Sequence, residues 1–363
     1  MDSTAFAALA SGRRRGPVAS LMRTVLHAAE PAYAAAANWN GRRRAARMQT
    51  LTVPVVSVGN LTCGGTGKTP VVAWIAQELL AAGRSPGLLS RGYASLDDVA
   101  EGVAGDGAAG GNDEKRVLDA LCPGVPHRQA RDRVGAGRTL AADGCDAIVV
   151  DDGFQYRQLH RDLDLVLIDA TQPWGFGHCL PRGLLRERPA ALQRADVVLI
   201  NRADAIDAAA IEQLQSEIRQ HTDAAIVTGR VCPVGLVDAA GNTAPLSKLS
   251  PAALPFCGLG NPGGFAQTLR SLGVTREPIA RPDHHHYTRD DLARLSIAAA
   301  DAGADQLVCT RKDIVKLTAT RLEGRPIWAV DIAFRPDGET LRDRVLDAVA
   351  GTAATTDRPS RAA

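Results

Sequence analysis

The sequence is poor in the residues that mark nucleic-acid-binding proteins. Aromatic residues make up 4% of its 363 positions, which is too few for the stacking platforms that bind single strands. Its formal net charge of +2 is close to balance, whereas a nucleic-acid footprint needs a strong excess of clustered lysine and arginine. We therefore expect no nucleic-acid partner.

Disulfide frameworks and cysteine-ligated zinc sites are also not expected. The seven cysteines are odd in number, and none belongs to a C-x-x-C pair. This pattern is typical of a protein in a reducing cytosol, in which each cysteine is a small buried apolar residue. With 45% hydrophobic and 23% charged residues, the composition is that of an ordinary globular protein, and the length predicts two domains.

The sequence has no uninterrupted run of about 20 apolar residues, which a membrane-spanning helix would need. The nearest segment, Pro17–Ala37, contains Arg23, His27 and Glu30. Arginine clusters flank it at residues 13–15 and at residues 42–44 with 47. An amphipathic segment between basic clusters is typical of a helix that lies on an anionic membrane surface, although a solvated arm has the same composition.

The glycine that begins the usual phosphate-binding loop, G-x-x-x-x-G-K-[ST], is absent as well. In the stretch VVSVGNLTCGGTGKTP the lysine is Lys68, and Thr62 stands where the pattern has its first glycine. The later glycines still allow a sharp turn that points backbone N–H groups at phosphate oxygens. An apolar strand at Val53–Val58 precedes the loop and a helix predicted over Thr69–Ala82 follows it, as in a nucleotide site. The predicted nucleotide-binding residues are Thr62, Gly64, Gly65, Thr66, Gly67, Lys68 and Thr69.

Two adjacent carboxylates provide a candidate metal site for this nucleotide. Asp151 and Asp152 follow an apolar strand predicted at Ala147–Val150. A phosphate-loop enzyme needs an acidic residue at the end of a nearby strand to hold Mg²⁺, and the Thr69 hydroxyl supplies a further oxygen. A strand-end turn that happens to carry two aspartates is the structural alternative.

Apolar strands alternate with helices from residue 51 onward. Further strands are predicted at Ser85–Leu89, Leu165–Ile168 and Val197–Ile200. Such alternation indicates an α/β fold with a parallel sheet flanked by helices, here of the P-loop NTPase type. The predicted organisation is an amino-terminal membrane-associated helix (1–50), a phosphate-loop domain (51–227), a two-stranded linker with a turn at Gly241-Asn242 (228–246), a smaller α/β domain (247–350) and a disordered tail (351–363).

Several of these segments together resemble the tetraacyldisaccharide 4'-kinases, the lipid A 4'-kinases of bacteria with an outer membrane. The two specific ones are VPVVSVGNLTCGGTGKTPVV at 53–72 and VVDDGFQYRQLHRDLDLVLID at 149–169. The others are LLSRGY at 88–93, LPRGLLRE at 180–187, FCGLGNPGGF at 256–265, PDHHHY at 282–287 and TRKDIVKL at 310–317. They follow the family's order, and the family itself has threonine where the general loop pattern has glycine.

The resemblance implies a kinase that uses ATP and Mg²⁺. Its substrate would be the 4'-hydroxyl of a tetraacylated glucosamine disaccharide 1-phosphate, which becomes the 1,4'-bisphosphate of lipid A biosynthesis. It implies a location at the cytoplasmic face of the inner membrane and favours the membrane interpretation of the amino-terminal helix. We expect a monomer.

The resemblance also implies roles for individual residues. Asp113 matches the family's base, with Glu114 as the alternative, and His284 matches its histidine partner. A carboxylate oriented by a histidine can take the proton of a sugar hydroxyl as that hydroxyl attacks the γ-phosphate. The implied metal ligands are Thr69, Asp151, Asp152 and Glu187, Lys68 contacts the transferred phosphate, and the candidate substrate contacts are Arg91, Tyr93 and Arg186.

The chain departs from the family pattern at a few positions. Asn112 stands where a glycine usually precedes the Asp113-Glu114 pair. Tyr156 replaces the histidine that normally ends the DDGFQ segment, so any role that needs an imidazole there is lost. Arg311 stands where an acidic residue is common, and we assign it no function.

Other functions fit part of the pattern. Asn201-Arg202-Ala203-Asp204 resembles the guanine-reading N-K-x-D of a P-loop GTPase of the metallochaperone or switch type, with arginine in place of lysine. A membrane-associated nucleotide sensor would keep Lys68 but have no use for Asp113 with His284. The run His284–His286 is not expected to bind a metal, because neighbouring side chains seldom point at one ion.

Overall fold

The computed structural model describes residues 3–92, 112–260 and 262–351. Tyr93, the glycine-rich run at 102–111 and the expected tail beyond residue 351 lie outside the described residues. The helices are α1 Ser3–Ala10, α2 Pro17–Ala45, α3 Lys68–Ala81, α4 Asp113–Leu121, α5 Arg133–Ala142, α6 Ala208–Arg219, α7 Pro262–Ser271, α8 Arg289–Asp301, α9 Arg311–Ile314 and α10 Thr340–Ala350. The strands are β1 Val55–Asn60, β2 Pro86–Arg91, β3 His127–Ala130, β4 Ala147–Asp151, β5 Leu163–Asp169, β6 Val197–Asn201, β7 Ala225–Val237, β8 Thr243–Ala244, β9 Leu254–Gly258, β10 Ile279–Arg281, β11 Leu307–Thr310, β12 Arg321–Leu322 and β13 Arg325–Pro336.

These elements form two compact units. The larger unit consists of Thr24–Ala109, Cys122–Arg230 and Arg335–Ala363. The smaller unit consists of Met1–Arg23, Gly110–Leu121 and Val231–Phe334. Residues 110–121, which precede much of the larger unit in sequence, therefore belong to the smaller one.

A parallel sheet forms the centre of the larger unit. Its strands lie in the order β3-β2-β4-β1-β5-β6-β7, and each neighbouring pair is parallel. Every residue of β1, β4, β5 and β6 is buried, because these β-branched and leucine-rich strands are covered on both faces. The predicted α/β fold with a mostly parallel sheet and flanking helices is confirmed.

The parallel register places the functional segments at one edge of this sheet. Val58 in β1 lies opposite Asp151, so the carboxyl ends of β1 and β4 are neighbours. The phosphate loop follows β1, and Asp152 follows β4. In open parallel sheets, ligands bind at this carboxyl edge.

The strands of the smaller unit lie in the order β10-β9-β11-β13-β7, and the part of β7 that belongs to this unit begins at Val231. Its core includes Phe256, Leu307 and Ile327, each at most 1% exposed. The ribbon after residue 228 differs from the expected pair of similar short strands. β7 continues unbroken for 13 residues, and β8 adds only Thr243 and Ala244, which pair antiparallel with its end. The turn contains Gly241 at φ +84°, in the left-handed region that suits glycine.

The amino-terminal segment is helical over a longer range than the predicted segment. α2 has 29 residues, and Tyr33 and Ala34 pack against an apolar cluster of the larger unit. No helix among the described residues has the length and apolar character needed to cross a membrane.

Candidate nucleotide and phosphoryl-transfer site

The loop between β1 and α3 has the backbone geometry of an anion site. Gly64 and Gly67 have φ values of +115° and +80°, which glycine adopts without strain. Gly67 directly precedes Lys68, the first residue of α3, so the free N–H groups and the positive end of the helix dipole lie at the loop. A Cβ atom added at Gly64 or Gly65 would meet nothing within 4 Å, so the loop borders open space.

Asn60, the last residue of β1, joins the two ends of this loop. Its side chain is fully buried, and Nδ2 donates to the Thr62 carbonyl at 2.7 Å and to Thr66 Oγ1 at 3.1 Å. Its Oδ1 accepts from Lys68 Nζ at 3.1 Å. Asn60 was not among the predicted site residues, although a polar residue at the end of a buried strand is a signal in the sequence that points to it.

The end of β6 supports the loop from another side. Asn201 Nδ2 donates to the Thr66 carbonyl at 2.9 Å, and Arg202 Nη2 donates to the Gly65 carbonyl at 3.2 Å. Arg202 also forms an ion pair with Asp169 at the end of β5. The segment that resembles the guanine-reading motif therefore has a clear structural role in holding the phosphate loop.

Asp152 is the electrostatic centre of the site. It lies 3.4 Å from Lys68 Nζ, and Arg186 Nη1 contacts its two oxygens at 2.8 and 2.9 Å. Burial raises the pKa of Asp152, but the charges of Lys68 and Arg186 outweigh burial and lower the pKa to about 2. Asp151 is the buried last residue of β4. Asp152 is therefore ionised at neutral pH and orients two of the predicted site cations.

Arg133, which was not among the predicted site residues, is a buried contact of the Asp152 backbone. It is 2% exposed, and its Nη1 donates to the Asp152 carbonyl at 2.9 Å. The guanidinium carbon lies 5.2 Å from the Tyr156 ring centroid, and the Arg133 N–H donates to the Tyr156 hydroxyl at 3.2 Å. Tyr156, the departure from the family's histidine, thus fixes Arg133 by a cation–π contact and a hydrogen bond.

Glu187 lies in a network next to the same loop. Arg194 Nη2 donates to both of its oxygens, at 3.0 and 2.9 Å. Gln155 Nε2 donates to Glu187 at 3.2 Å and to the Asn60 carbonyl at 3.1 Å. Glu187 is therefore tied both to an arginine and to the strand that carries the phosphate loop.

The smaller unit contains the predicted base and its partner. Asp113 is the first residue of α4, and each of its oxygens lies 2.9 Å from His284 Nδ1. Lys316 Nζ, on a side chain that is 3% exposed, lies 3.0 Å from Asp113 Oδ2. Burial raises the pKa of Asp113, but the hydrogen bond with His284 and the charge of Lys316 hold it well below the usual range. The same hydrogen bond raises the pKa of His284.

The neighbours of this pair have other partners. Glu114, the alternative base, lies 3.6 Å from Lys312 Nζ. His285 Nε2 lies 3.0 Å from Asp291, a residue of the capping box that begins α8. Arg311 pairs with Asp331 at 3.2 Å. The consecutive residues His284 and His285 thus contact different carboxylates. Lys316, which contacts Asp113, was not among the predicted site residues.

Of the three predicted substrate contacts, Arg91, Tyr93 and Arg186, the structure describes two. Arg91 is the exposed last residue of β2, and Tyr93 lies outside the described residues. Arg186 is held by Asp152, and its backbone N–H donates to the Leu61 carbonyl at 2.7 Å, directly before the phosphate loop.

The loop glycines lead into a helix that begins with Lys68, and an acidic pair stands at the end of the neighbouring strand β4. These features define a nucleotide-binding protein of the phosphate-loop class. A family model described as tetraacyldisaccharide-1-P 4'-kinase matches residues 22–350. The chain belongs to this family, so the resemblance seen in the sequence is confirmed. The family assignment does not favour the GTPase alternative.

Individual relatives agree with this assignment. The tetraacyldisaccharide 4'-kinase of Anaeromyxobacter dehalogenans strain 2CP-C is 40% identical over 320 residues, which cover 84% of each chain. That of Syntrophus aciditrophicus is 37% identical over 306 residues, covering 80% of this chain and 82% of the relative. The crystal structure of LpxK from Aquifex aeolicus in complex with ATP covers 90% of this chain and 99% of its own, with a TM-score of 0.68. At 24% identity, this last likeness shows the fold alone.

Proposed function

We propose that this chain transfers the γ-phosphate of ATP to the 4'-hydroxyl of a tetraacylated glucosamine disaccharide 1-phosphate. The observation that carries the proposal is the contact between Asp113 and His284. A switch GTPase or a nucleotide sensor has no use for a carboxylate paired with a histidine, whereas a kinase that acts on an alcohol needs a base. The same chain has a phosphate loop with Lys68 at the start of α3.

In this proposal the loop N–H groups and Lys68 bind the phosphates of ATP. Asn60 holds Lys68 Nζ at one end of the loop, so the cation is oriented before the nucleotide arrives. Charge neutralisation and positioning supply most of the rate in phosphoryl transfer. Arg186, which Asp152 orients, is a further candidate contact for phosphate.

The oxygen donors near the loop fit Mg²⁺, a hard cation that prefers carboxylate and hydroxyl ligands. The residues that would hold it are Thr69, Asp151, Asp152 and Glu187. When bound, Mg²⁺ neutralises charge on the phosphate oxygens. Lys68 and Arg186 already compensate Asp152, and Arg194 compensates Glu187.

Asp113 is the base of the proposed reaction. Lys316 and His284 keep it ionised, and His284 orients it through Nδ1. An ionised carboxylate can accept the proton of the 4'-hydroxyl as the oxygen attacks phosphorus. The low pKa of Asp113 makes it a weak base in the ground state, so we assign proton removal a smaller share of the rate than phosphate binding.

We further propose that α2 lies on the anionic cytoplasmic face of the inner membrane. Val18, Leu21, Val25 and Trp39 are each more than half exposed along this helix. At the end of the helix and just beyond it, Arg43, Arg44 and Arg47 line a cavity of about 200 Å³ together with Asn40 and Gln158. A helix binds to a membrane surface through two contributions. Its apolar residues enter the interface, and its arginines contact acidic headgroups.

Neutralising this basic end should weaken membrane binding. Each arginine near an anionic surface contributes about 1 kcal/mol, so replacing Arg43, Arg44 and Arg47 with glutamine should lower vesicle affinity by about 100-fold. Co-sedimentation with vesicles that contain phosphatidylglycerol measures this. The control replaces three exposed arginines elsewhere, Arg289, Arg294 and Arg344, and should bind as the unchanged protein does. Equal binding by both triple variants would rule out this basic surface.

The kinase proposal is tested by phosphate transfer in detergent micelles. We expect label from γ-labelled ATP on a tetraacyl disaccharide 1-phosphate in the presence of Mg²⁺, and much less label from GTP. Omitting Mg²⁺ should remove the signal. GTP hydrolysis without lipid labelling would instead support the GTPase alternative and overturn the kinase.

A further inference from the structure

Away from the phosphate loop, three metal-binding side chains of the larger unit converge on one point. His27 and Glu30 lie one turn apart on α2, and His178 lies in the segment after β5. Glu30 Oε2 is 3.2 Å from His27 Nδ1 and 3.0 Å from His178 Nδ1. Each of the three side chains offers one ligand atom, an imidazole nitrogen or a carboxylate oxygen, and these atoms all lie within 4.8 Å of one another.

The cluster has features of a built site. Both imidazoles direct Nδ1 at the same carboxylate oxygen, and their rings meet edge to face with centroids 5.3 Å apart. The other oxygen of Glu30 accepts from the Cys179 backbone N–H at 2.7 Å, which fixes the carboxylate. Metal sites typically show this arrangement, in which an outer hydrogen bond orients a ligating group.

We propose that His27, Glu30 and His178 bind Zn²⁺. Two imidazoles and one carboxylate, here two side chains of α2 and one from the segment after β5, are a known ligand set for this ion, with water in the fourth position. Zinc–ligand bonds of about 2.0–2.1 Å in a tetrahedron place ligand atoms about 3.3 Å apart. The observed separations from Glu30 need to change by only a few tenths of an ångström to admit the ion.

Zinc at this position would join α2 to the segment that leads into the nucleotide site. The Leu185 N–H donates to the His178 carbonyl at 3.0 Å, and the Leu184 carbonyl accepts from the Cys63 N–H, next to the loop glycines, at 2.7 Å. Arg186 and Glu187 follow directly. The ion would therefore hold the proposed membrane helix to the segment at residues 178–187, which lies beside the phosphate loop. This inference does not depend on the proposed kinase activity.

The test uses the untagged full-length protein in detergent, stripped with EDTA and titrated with Zn²⁺ against a chromophoric chelator. We expect a site that binds one equivalent, and at least tenfold weaker binding in His27→Ala and in His178→Ala. His27 is 66% exposed, so its replacement does not threaten the fold. The matched control is His221→Ala, a partly exposed histidine of the same unit outside the cluster, and should bind as the unchanged protein does.

Two further readouts make the assignment specific. Excess Zn²⁺ should raise the unfolding temperature of the unchanged protein but not that of His27→Ala, because a ligand stabilises only the state that binds it. Co²⁺ in place of Zn²⁺ should give a visible absorption band that is lost in His178→Ala. Zinc affinity that is equal in the unchanged protein and both cluster variants, or no binding at all, would overturn the site.

Discussion

Replacing Lys68 with alanine should lower kcat/KM for phosphate transfer by at least about 10³-fold. The loss of one preorganised group at a developing charge typically lowers the rate by 10² to 10³, and in the proposed reaction this lysine contacts the transferred phosphate itself. Lys68 also lies 3.4 Å from Asp152, which in the variant keeps Arg186 as its partner. The acidic residue therefore remains compensated, and the folded structure should persist. Initial rates with labelled ATP, at several lipid concentrations, measure the effect.

The control for Lys68→Ala is Lys248→Ala, which removes an exposed lysine from the smaller unit. Its activity should equal that of the unchanged protein. Circular dichroism and the unfolding temperature establish that both variants are folded. Activity within tenfold of the unchanged protein in a folded Lys68→Ala variant would show that the loop does not hold the transferred phosphate.

Replacing Asp113 with asparagine should lower kcat by about 10² to 10⁴-fold while ATP binding is unchanged. The amide has nearly the same shape but cannot accept the proton of the 4'-hydroxyl, and general base catalysis typically contributes a factor of this size. Because His284 and Lys316 hold the pKa of Asp113 far below neutrality, the unchanged protein should show no loss of this base above about pH 5. Single-turnover rates with a nucleotide-binding assay separate chemistry from binding.

Two variants make the Asp113 result interpretable. Glu114→Gln removes the neighbouring carboxylate, which contacts Lys312, and should retain most of the activity. Lys316 is 3% exposed, so Asp113→Asn leaves a buried cation without its carboxylate, and the unfolding free energy must be measured beside the rate. If Glu114→Gln loses activity and folded Asp113→Asn does not, Glu114 is the base.

Local patterns in the sequence were strong enough to predict the central sheet. β4 and β6 begin at the predicted residues Ala147 and Val197, because continuous β-branched runs have little alternative to a buried parallel strand. α3 begins at Lys68, one residue before the prediction, where the loop glycines end. The ribbon at β7 was harder, because Gly229, Pro233 and Gly235 interrupt the local strand pattern, yet the strand continues through them for 13 residues.

The supports of the site could not be read from the sequence in the same way. Asn60 and Lys68 are close in sequence, but Arg133, Tyr156 and Asp152 meet only because β4 is followed by a turn that faces α5. Asp113 and Lys316 are separated by about 200 positions, yet lie 3.0 Å apart. A sequence pattern shows residue types and their spacing. It does not show which side chains that are distant in sequence form ion pairs or hydrogen bonds in the fold.

The sequence by itself determined the chemistry that this protein can offer. The glycines, Lys68 and the Asp151-Asp152 pair predict a phosphate loop because backbone freedom and residue type are local properties. The tertiary structure alone decided which groups are charged and how they are oriented. It gives Asp152 a pKa of about 2 through Lys68 and Arg186, and it brings His27 and His178 to one oxygen of Glu30. Electrostatic effects depend on distance in space and on burial, and folding sets both.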